Sequence, residues 1–237
     1  MPADRAIGSP MTSALETPDP AEASRRTLSH YDANAQAFWE GTRFHDVSQN
    51  IDALLRHLPA TAPLRLLDFG CGPGRDLLAL KARGHAPVGL EGAAALAEMA
   101  RAHSGCEVWH QNFLALDLPE GHFDGIFANA SLFHVPAAEL PRVLGELRAA
   151  LRPGGVLFSS NPRGDNVGGW YGDRYGHYWD WDSWRAQLQA AGFEVLEHYY
   201  RPPGLPRERQ SWLASVWRRP GEAADQGANQ RRANQGA

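Results

Sequence analysis

Three glycines alternate along Gly70-Cys71-Gly72-Pro73-Gly74, with Asp68 two residues before the first of them and Glu91 downstream. Glycine permits backbone angles and close approaches that a Cβ forbids. The loop leaves an apolar stretch, Leu64 to Phe69, and runs into a helix-forming one that begins at Arg75. A loop of this kind exposes the free N–H groups of a helix N-terminus to a polar or anionic ligand. Asp68 adds a carboxylate suited to a ligand that carries an ammonium group. Glu91 ends the next apolar stretch, about 20 residues on, where a carboxylate accepts hydrogen bonds from ribose hydroxyls. A dinucleotide fingerprint requires glycine at the first, third and sixth positions, and the sixth residue from Gly70 is Arg75. The bland alternative is a tight strand–helix turn next to a surface acid.

These residues need a scaffold, and the chain is long enough for one large α/β domain. It has 237 residues, 43% hydrophobic and 21% charged, with net charge −4. That composition is ordinary for a globular domain and gives no general field for a polyanion. No apolar run approaches the roughly 18 residues of a membrane span. The N-terminus lacks a basic segment followed by an apolar one, so no secretory signal is expected. Two cysteines, Cys71 and Cys106, cannot form a multi-disulfide scaffold, and reduced thiols in the cytoplasm are the simplest reading. Residues 1–26 are rich in Pro, Ala, Ser and Thr and are expected to be a disordered leader. Residues 220–237 contain no large apolar residue and are expected to be a tail, leaving 27–219 as the domain.

Strand and helix patterns alternate through that domain. Residues 35–58 suit helix, with a break near Gly41-Thr42. Strands are expected over 64–69, 86–91, 106–110, 123–129, 156–162, 193–200 and 212–217. Helices are expected over 75–83, 93–103, 137–151 and 183–191, the last with Asp182 as N-cap and the third ended by Arg152-Pro153-Gly154-Gly155. The glycine- and aromatic-rich stretch Gly168 to Trp181 is expected to be a long loop. Such alternation argues for a mostly parallel sheet covered on both faces by helices. The last two strands have no helix pattern between them and should pair antiparallel.

The segments LLDFGCGPGRD, VGLEGA, FDGIFANASLFH and LRAALRPGGVLFSSNP together resemble, in order, motifs of the class I methyltransferases that use S-adenosylmethionine (SAM). The resemblance spans roughly residues 29–217 and implies a Rossmann-like, doubly wound, seven-stranded sheet. It implies that Gly70, Gly72 and Gly74 line the amino-acid part of SAM, with Asp68 near its ammonium and Glu91, followed by Gly92, at the ribose. Asn112 and Phe113 would flank adenine. Family members often have an aspartate at the first of these two positions; here the amide oxygen of Asn112 would have to accept from the adenine amino group. Asn129 and Ala130 would lie near the sulfonium, and Tyr31 resembles a tyrosine that closes over the cofactor.

For the acceptor side, His134 follows the fourth strand and could serve as a base near neutral pH. Its alternative is a histidine that packs over the cofactor or caps the following helix. Arg43 and His45, in GTRFHD, could join the same pocket or form a solvated helix end. Trp170, Tyr175, His177 and Tyr178, in the aromatic stretch, suit a flat or cationic acceptor, or a lid that only covers the cofactor. Arg163 could meet an acceptor carboxylate or phosphate. Zinc motifs are lacking, and asparagines stand where metal-assisted relatives place carboxylates, so no metal is expected. The sequence therefore points to metal-independent methylation of a small-molecule acceptor, without nucleic acid or membrane. The rival readings are a methyltransferase acting on RNA or protein, a nicotinamide oxidoreductase, and a SAM-binding module without catalysis.

Overall fold

The structure, a computed structural model, describes residues 18–221. Residues 1–17 and 222–237, which hold most of the expected leader and tail, lie outside the described residues. The core is a seven-stranded sheet in the order β3-β2-β1-β4-β5-β9-β8. Its strands are β1 (Arg65–Phe69), β2 (Ala86–Glu91), β3 (Val108–His110), β4 (Phe123–Asn129), β5 (Leu151–Pro162), β8 (Glu194–Arg201) and β9 (Trp212–Arg218). Neighbours from β3 to β5 are parallel, and β9 runs antiparallel to both β5 and β8. The chain winds from β1 outwards to β2 and β3, then returns to β4 on the other side of β1. A crevice therefore opens at the carboxyl ends of β1 and β4, the usual ligand position in such sheets.

Side-chain alternation divides the core between the two faces of the sheet. Ile126, Ala128 and Leu157 face α6 (Leu140–Ala150) and α7 (Trp181–Ala190). Phe127, Val156 and Phe158 face α3 (Ser48–Leu55). Helices α4 (Arg75–Ala82) and α5 (Ala94–Ser104) cover β2 and β3. Trp184 is fully buried, and its indole N–H donates to the hydroxyls of Ser159 (3.2 Å) and Ser215 (3.1 Å). The Trp184 indole N–H is therefore satisfied despite its burial.

Three features depart from the sequence expectations. Helix α1 (Pro20–Ala33) starts inside the segment read as a leader. Asp19 caps it by accepting from the Glu22 N–H (3.0 Å), and Pro20 supplies the fixed φ favoured at the first helical position. The expected long loop after β5 is a hairpin, β6 (Val167–Tyr171) and β7 (Arg174–Tyr178), closed at Gly172, whose φ is +65°. Asp180, not Asp182, caps α7 by accepting from the Ser183 N–H (2.8 Å). Between Leu58 and α1, the expected long helix is broken into α2 (Ala35–Thr42) and α3, as the Gly41-Thr42 pair suggested.

Candidate functional site

A cleft lies at the carboxyl ends of β1, β2 and β4, roofed by α1 and α2. Gly70 and Gly72 form one wall. Gly70 has φ +77°, and a Cβ there would stand 2.5 Å from the Ser131 Cβ and 3.1 Å from the Phe113 ring. The loop thus touches the opposite wall without a side chain. Gly74 serves a different purpose: it begins α4 with φ +89° and lies against the Ala100 backbone, where a Cβ would come within 2.9 Å. It lets α4 and α5 approach and is not part of the cleft wall.

Glu91 closes the cleft at the end of β2. Its two carboxylate oxygens accept from the N–H groups of Gly72 (2.9 Å) and Ala93 (2.9 Å). Burial raises the carboxyl above the usual carboxylate range, while these bonds pull it back. Each oxygen retains a lone pair for a ligand donor. Gly92 permits the close approach of α1, since a Cβ there would meet Leu28 at 2.6 Å. Asp68, in β1, does not line the cleft; it is 1% exposed and its Oδ2 has no hydrogen-bond partner. Burial, and then the nearby Asp76, hold its pKa well above the ordinary value.

Phe113 lines the cleft and stacks on Phe69 with ring centroids 4.1 Å apart. Asn112 also lines it, but its amide oxygen already accepts from the Ser24 hydroxyl (3.0 Å) and the Leu114 N–H (2.9 Å). The oxygen expected to meet an adenine amino group is committed to α1 and to a local turn. Ser24, Thr27 and Leu28 of α1 line the cleft too, and the sequence reading missed them. The Asp19-Pro20 cap was the available signal.

Tyr31 and His134 face each other across the cleft mouth. The His134 Nδ1 lies 2.5 Å from the Tyr175 carbonyl, which can only accept. Nδ1 therefore carries the proton, and Nε2 accepts from the Tyr31 hydroxyl at 2.9 Å. Burial pushes His134 down to about 4, with Arg174 adding to the effect and the Tyr175 carbonyl opposing it. At neutral pH the ring is neutral, its one lone pair is occupied, and it is a poor base. Of the two expectations for His134, this geometry is that of a histidine engaged on both ring nitrogens by protein partners.

Asn129 is placed elsewhere. It shares a face with Phe127 and accepts from the Asn50 amide of α3 (2.9 Å), while donating to Asp76 (3.1 Å). Asp76 in turn pairs with Arg75 (2.6 Å), and Arg75 holds the carbonyl of Thr42 (2.9 Å). This polar chain ties α2 and α3 to the sheet. Ala130, expected beside Asn129, does line the cleft.

The expected acceptor residues divide as well. Arg43 and His45 are exposed after α2, with Arg43 lying over the Phe44 ring (4.6 Å). Arg163 donates to the Arg207 carbonyl (2.9 Å) and does not line the cleft. In the hairpin, Trp170 sits under Arg26 (4.4 Å), His177 stacks on Trp179 (3.9 Å), and Tyr178 stacks on Tyr171 (4.2 Å). Tyr175 is buried; its N–H donates to the Thr27 hydroxyl (2.9 Å) and its carbonyl holds His134. Arg26 and Asp173 complete the junction with an ion pair at 2.6 Å. The hairpin is therefore fastened to α1 and stands behind the Tyr31–His134 pair.

The comparisons agree with this architecture. The chain is 33% identical to the 24-methylenesterol C-methyltransferase 2 of Oryza sativa subsp. japonica over 190 residues, which is 70% of this chain and 50% of that protein. It is 37% identical to a trans-aconitate 2-methyltransferase of Methylobacterium radiotolerans over 131 residues, 53% of this chain and 48% of that one. It spans about half the length of the curated relatives it matches. The Burkholderia thailandensis 1,6-didemethyltoxoflavin-N1-methyltransferase, solved with 1,6-didemethyltoxoflavin and S-adenosylhomocysteine, has the same fold: TM-score 0.69, 21% identity, covering 90% of this chain and 94% of that one. A family model described as a methyltransferase domain matches residues 38–198, and the chain belongs to that family.

Proposed function

We propose that the chain binds SAM in the cleft between the glycine loop and Glu91 and transfers its methyl group to a small-molecule acceptor. The observation that carries this reading is Glu91, a buried carboxylate fixed by two backbone N–H groups and lining the cleft beside the glycine loop. The residues fit the group. Gly70 and Gly72 line the cleft with backbone alone, and each carboxylate oxygen of Glu91 keeps a lone pair for a ligand donor. SAM, when bound, supplies a methyl group activated by a sulfonium that leaves as a neutral thioether.

The protein's own contribution is binding, orientation and exclusion of water. Glu91 would accept from the ribose diol, Gly70 and Gly72 would admit the amino-acid part, and Phe113 would cover one face of adenine. Tyr31, locked by His134, would close the mouth next to the reacting carbon. His134 is not asked to remove a proton, so the acceptor would arrive with its nucleophile ready. The relatives support a small acceptor, since their names specify a 24-methylenesterol and trans-aconitate. A cytoplasmic setting suits the two free cysteines, and among the described residues no helix is long and apolar enough to cross a membrane.

A metabolite extract incubated with the protein and methyl-labelled SAM tests the reading. Mass spectrometry should show a labelled small product that depends on intact Glu91. Failure of SAM to bind, or label appearing only in RNA or protein, would contradict it.

A further inference from the structure

Arg174 opens β7, half-buried, outside the cleft lining but against Tyr31, which lines the cleft. Among the described residues, no carboxylate lies within ion-pair distance of its guanidinium. The adjacent acid, Asp173, is turned away to Arg26. The Nε of Arg174 is buried without a partner. Nη1 makes one long contact, 3.4 Å, to the Tyr31 hydroxyl. That hydroxyl gives its own proton to His134, so it can only accept from Arg174. The surroundings are aromatic: Tyr31 lies with its ring centroid 5.8 Å from the guanidinium carbon, and Tyr171, opposite Arg174 in the hairpin register, stacks on Tyr178. The positive charge is felt by His30 and His134, both held below the ordinary histidine range mainly by burial and then, in part, by Arg174.

A half-buried guanidinium without a counter-charge is costly, and proteins ordinarily pair one. The planar set of N–H donors matches the two oxygens of a carboxylate. We infer that Arg174 grips a carboxylate of the methyl acceptor, so that the acceptor is a small organic acid held against Tyr31, with the aromatic hairpin behind it. One guanidinium balances the single charge of a carboxylate and leaves a doubly charged phosphate under-compensated. Among the described residues no other arginine is placed this way: Arg174 does not itself line the cleft but touches Tyr31, which does, whereas Arg163 and Arg43 are held elsewhere and Arg26 is already paired.

The inference rests on the methyl-transfer reading, and the experiment separates the two. Wild type and the Arg174→Met and Arg174→Lys variants are incubated with methyl-labelled SAM and a metabolite extract. The labelled products are identified, and each matching acceptor is then assayed pure. S-adenosylhomocysteine (SAH) affinity is measured in parallel by calorimetry. The expected acceptors carry a carboxylate in their unmethylated form. For them, Arg174→Met should raise KM at least ten-fold, with SAH affinity within two-fold of wild type, and Arg174→Lys should recover part of the loss. An uncharged or cationic compound as the best acceptor would overturn the inference while leaving methyl transfer standing. So would an unchanged KM in Arg174→Met, or equal losses of SAH affinity and KM in both variants, which would make Arg174 a structural tie to Tyr31. Absence of SAH binding to wild type would remove the underlying reading as well.

Discussion

Replacing Gly70 by alanine separates what the glycine loop does for folding from what it does for the cleft. The backbone there has φ +77°, which costs an L-residue about 1–2 kcal/mol. The new Cβ would lie 2.5 Å from the Ser131 Cβ and 3.1 Å from the Phe113 ring. Neither neighbour can yield easily, because Ser131 is 3% exposed and Phe113 is stacked on Phe69. Overpacking of this kind adds about 1–3 kcal/mol, for a total of about 2–5 kcal/mol. Gly72 offers an internal control: its φ is +52°, but the nearest obstacle is Phe38 at an ordinary 3.4 Å, so Gly72→Ala should cost only about 1–2 kcal/mol. Gly74→Ala should be as damaging to stability as Gly70→Ala, because its Cβ meets the Ala100 backbone at 2.9 Å. It lies outside the cleft, however, and should spare SAH affinity better. Urea unfolding of the three variants, with SAH calorimetry on the folded fraction, reads both quantities. Equal destabilisation by Gly72→Ala and Gly70→Ala, or greater loss of SAH affinity in Gly74→Ala than in Gly70→Ala, would refute the reasoning.

Tyr31→Phe leaves the half-buried Nε2 of His134 without a donor and should cost about 1–3 kcal/mol in thermal unfolding. It should lower turnover without introducing a new pH dependence near neutrality, whereas loss of a true base pair would flatten the pH–rate profile. Burial lowers the folded pKa of His134 from 6.5 to about 4, so between these values the unfolded chain binds more protons. Its contribution is present in full above pH 6.5 and is lost as pH falls towards 4, by at most about 3 kcal/mol. Stability curves at pH 7 and pH 4.5 should show a smaller drop for His134→Gln than for wild type, with a residue of slope left by His30, His177 and His198, which are also held low by burial. Deleting residues 1–26 removes the Asp19 cap and the Ser24 hydroxyl from α1. SAH affinity should therefore fall several-fold in calorimetry, and an unchanged affinity would show that α1 does not form part of the site.

The order of strands and helices was legible because the sheet buries both faces and its strands are short apolar runs ended by glycine, proline or acids. The glycine loop and Glu91 were legible because backbone requirements leave a residue-type signature. Helix α1 was not, since its buried face is made of Ala23 and Thr27, too small to stand out in a segment rich in Pro, Ala and Ser. The hairpin was hidden by Gly168, Gly169, Gly172 and Gly176, which read as loop although β6 and β7 pair in register. Asn129 was placed by its position at a strand end. The two-residue alternation of a strand sends its side chain to the α3 face with Phe127, and the cleft receives Ala130. His134 was found, but its role depends on which atoms face its two nitrogens. That information lies in the Tyr175 carbonyl and the Tyr31 hydroxyl, each far away in sequence.

The central claim is that the cleft between Gly70, Gly72 and Glu91 is a SAM site. Calorimetric titration of wild type and Glu91→Gln with SAH, and of wild type with NAD, tests it most directly. Glutamine keeps one acceptor oxygen for the backbone but loses the charge and the second acceptor. Charge-assisted bonds of this kind are worth about 1.5–3 kcal/mol, or roughly ten- to a hundred-fold in affinity. SAH binding should be weakened by that factor in Glu91→Gln, with NAD binding far weaker than SAH. NAD binding as tight as SAH, or SAH affinity indifferent to Glu91→Gln, would contradict it.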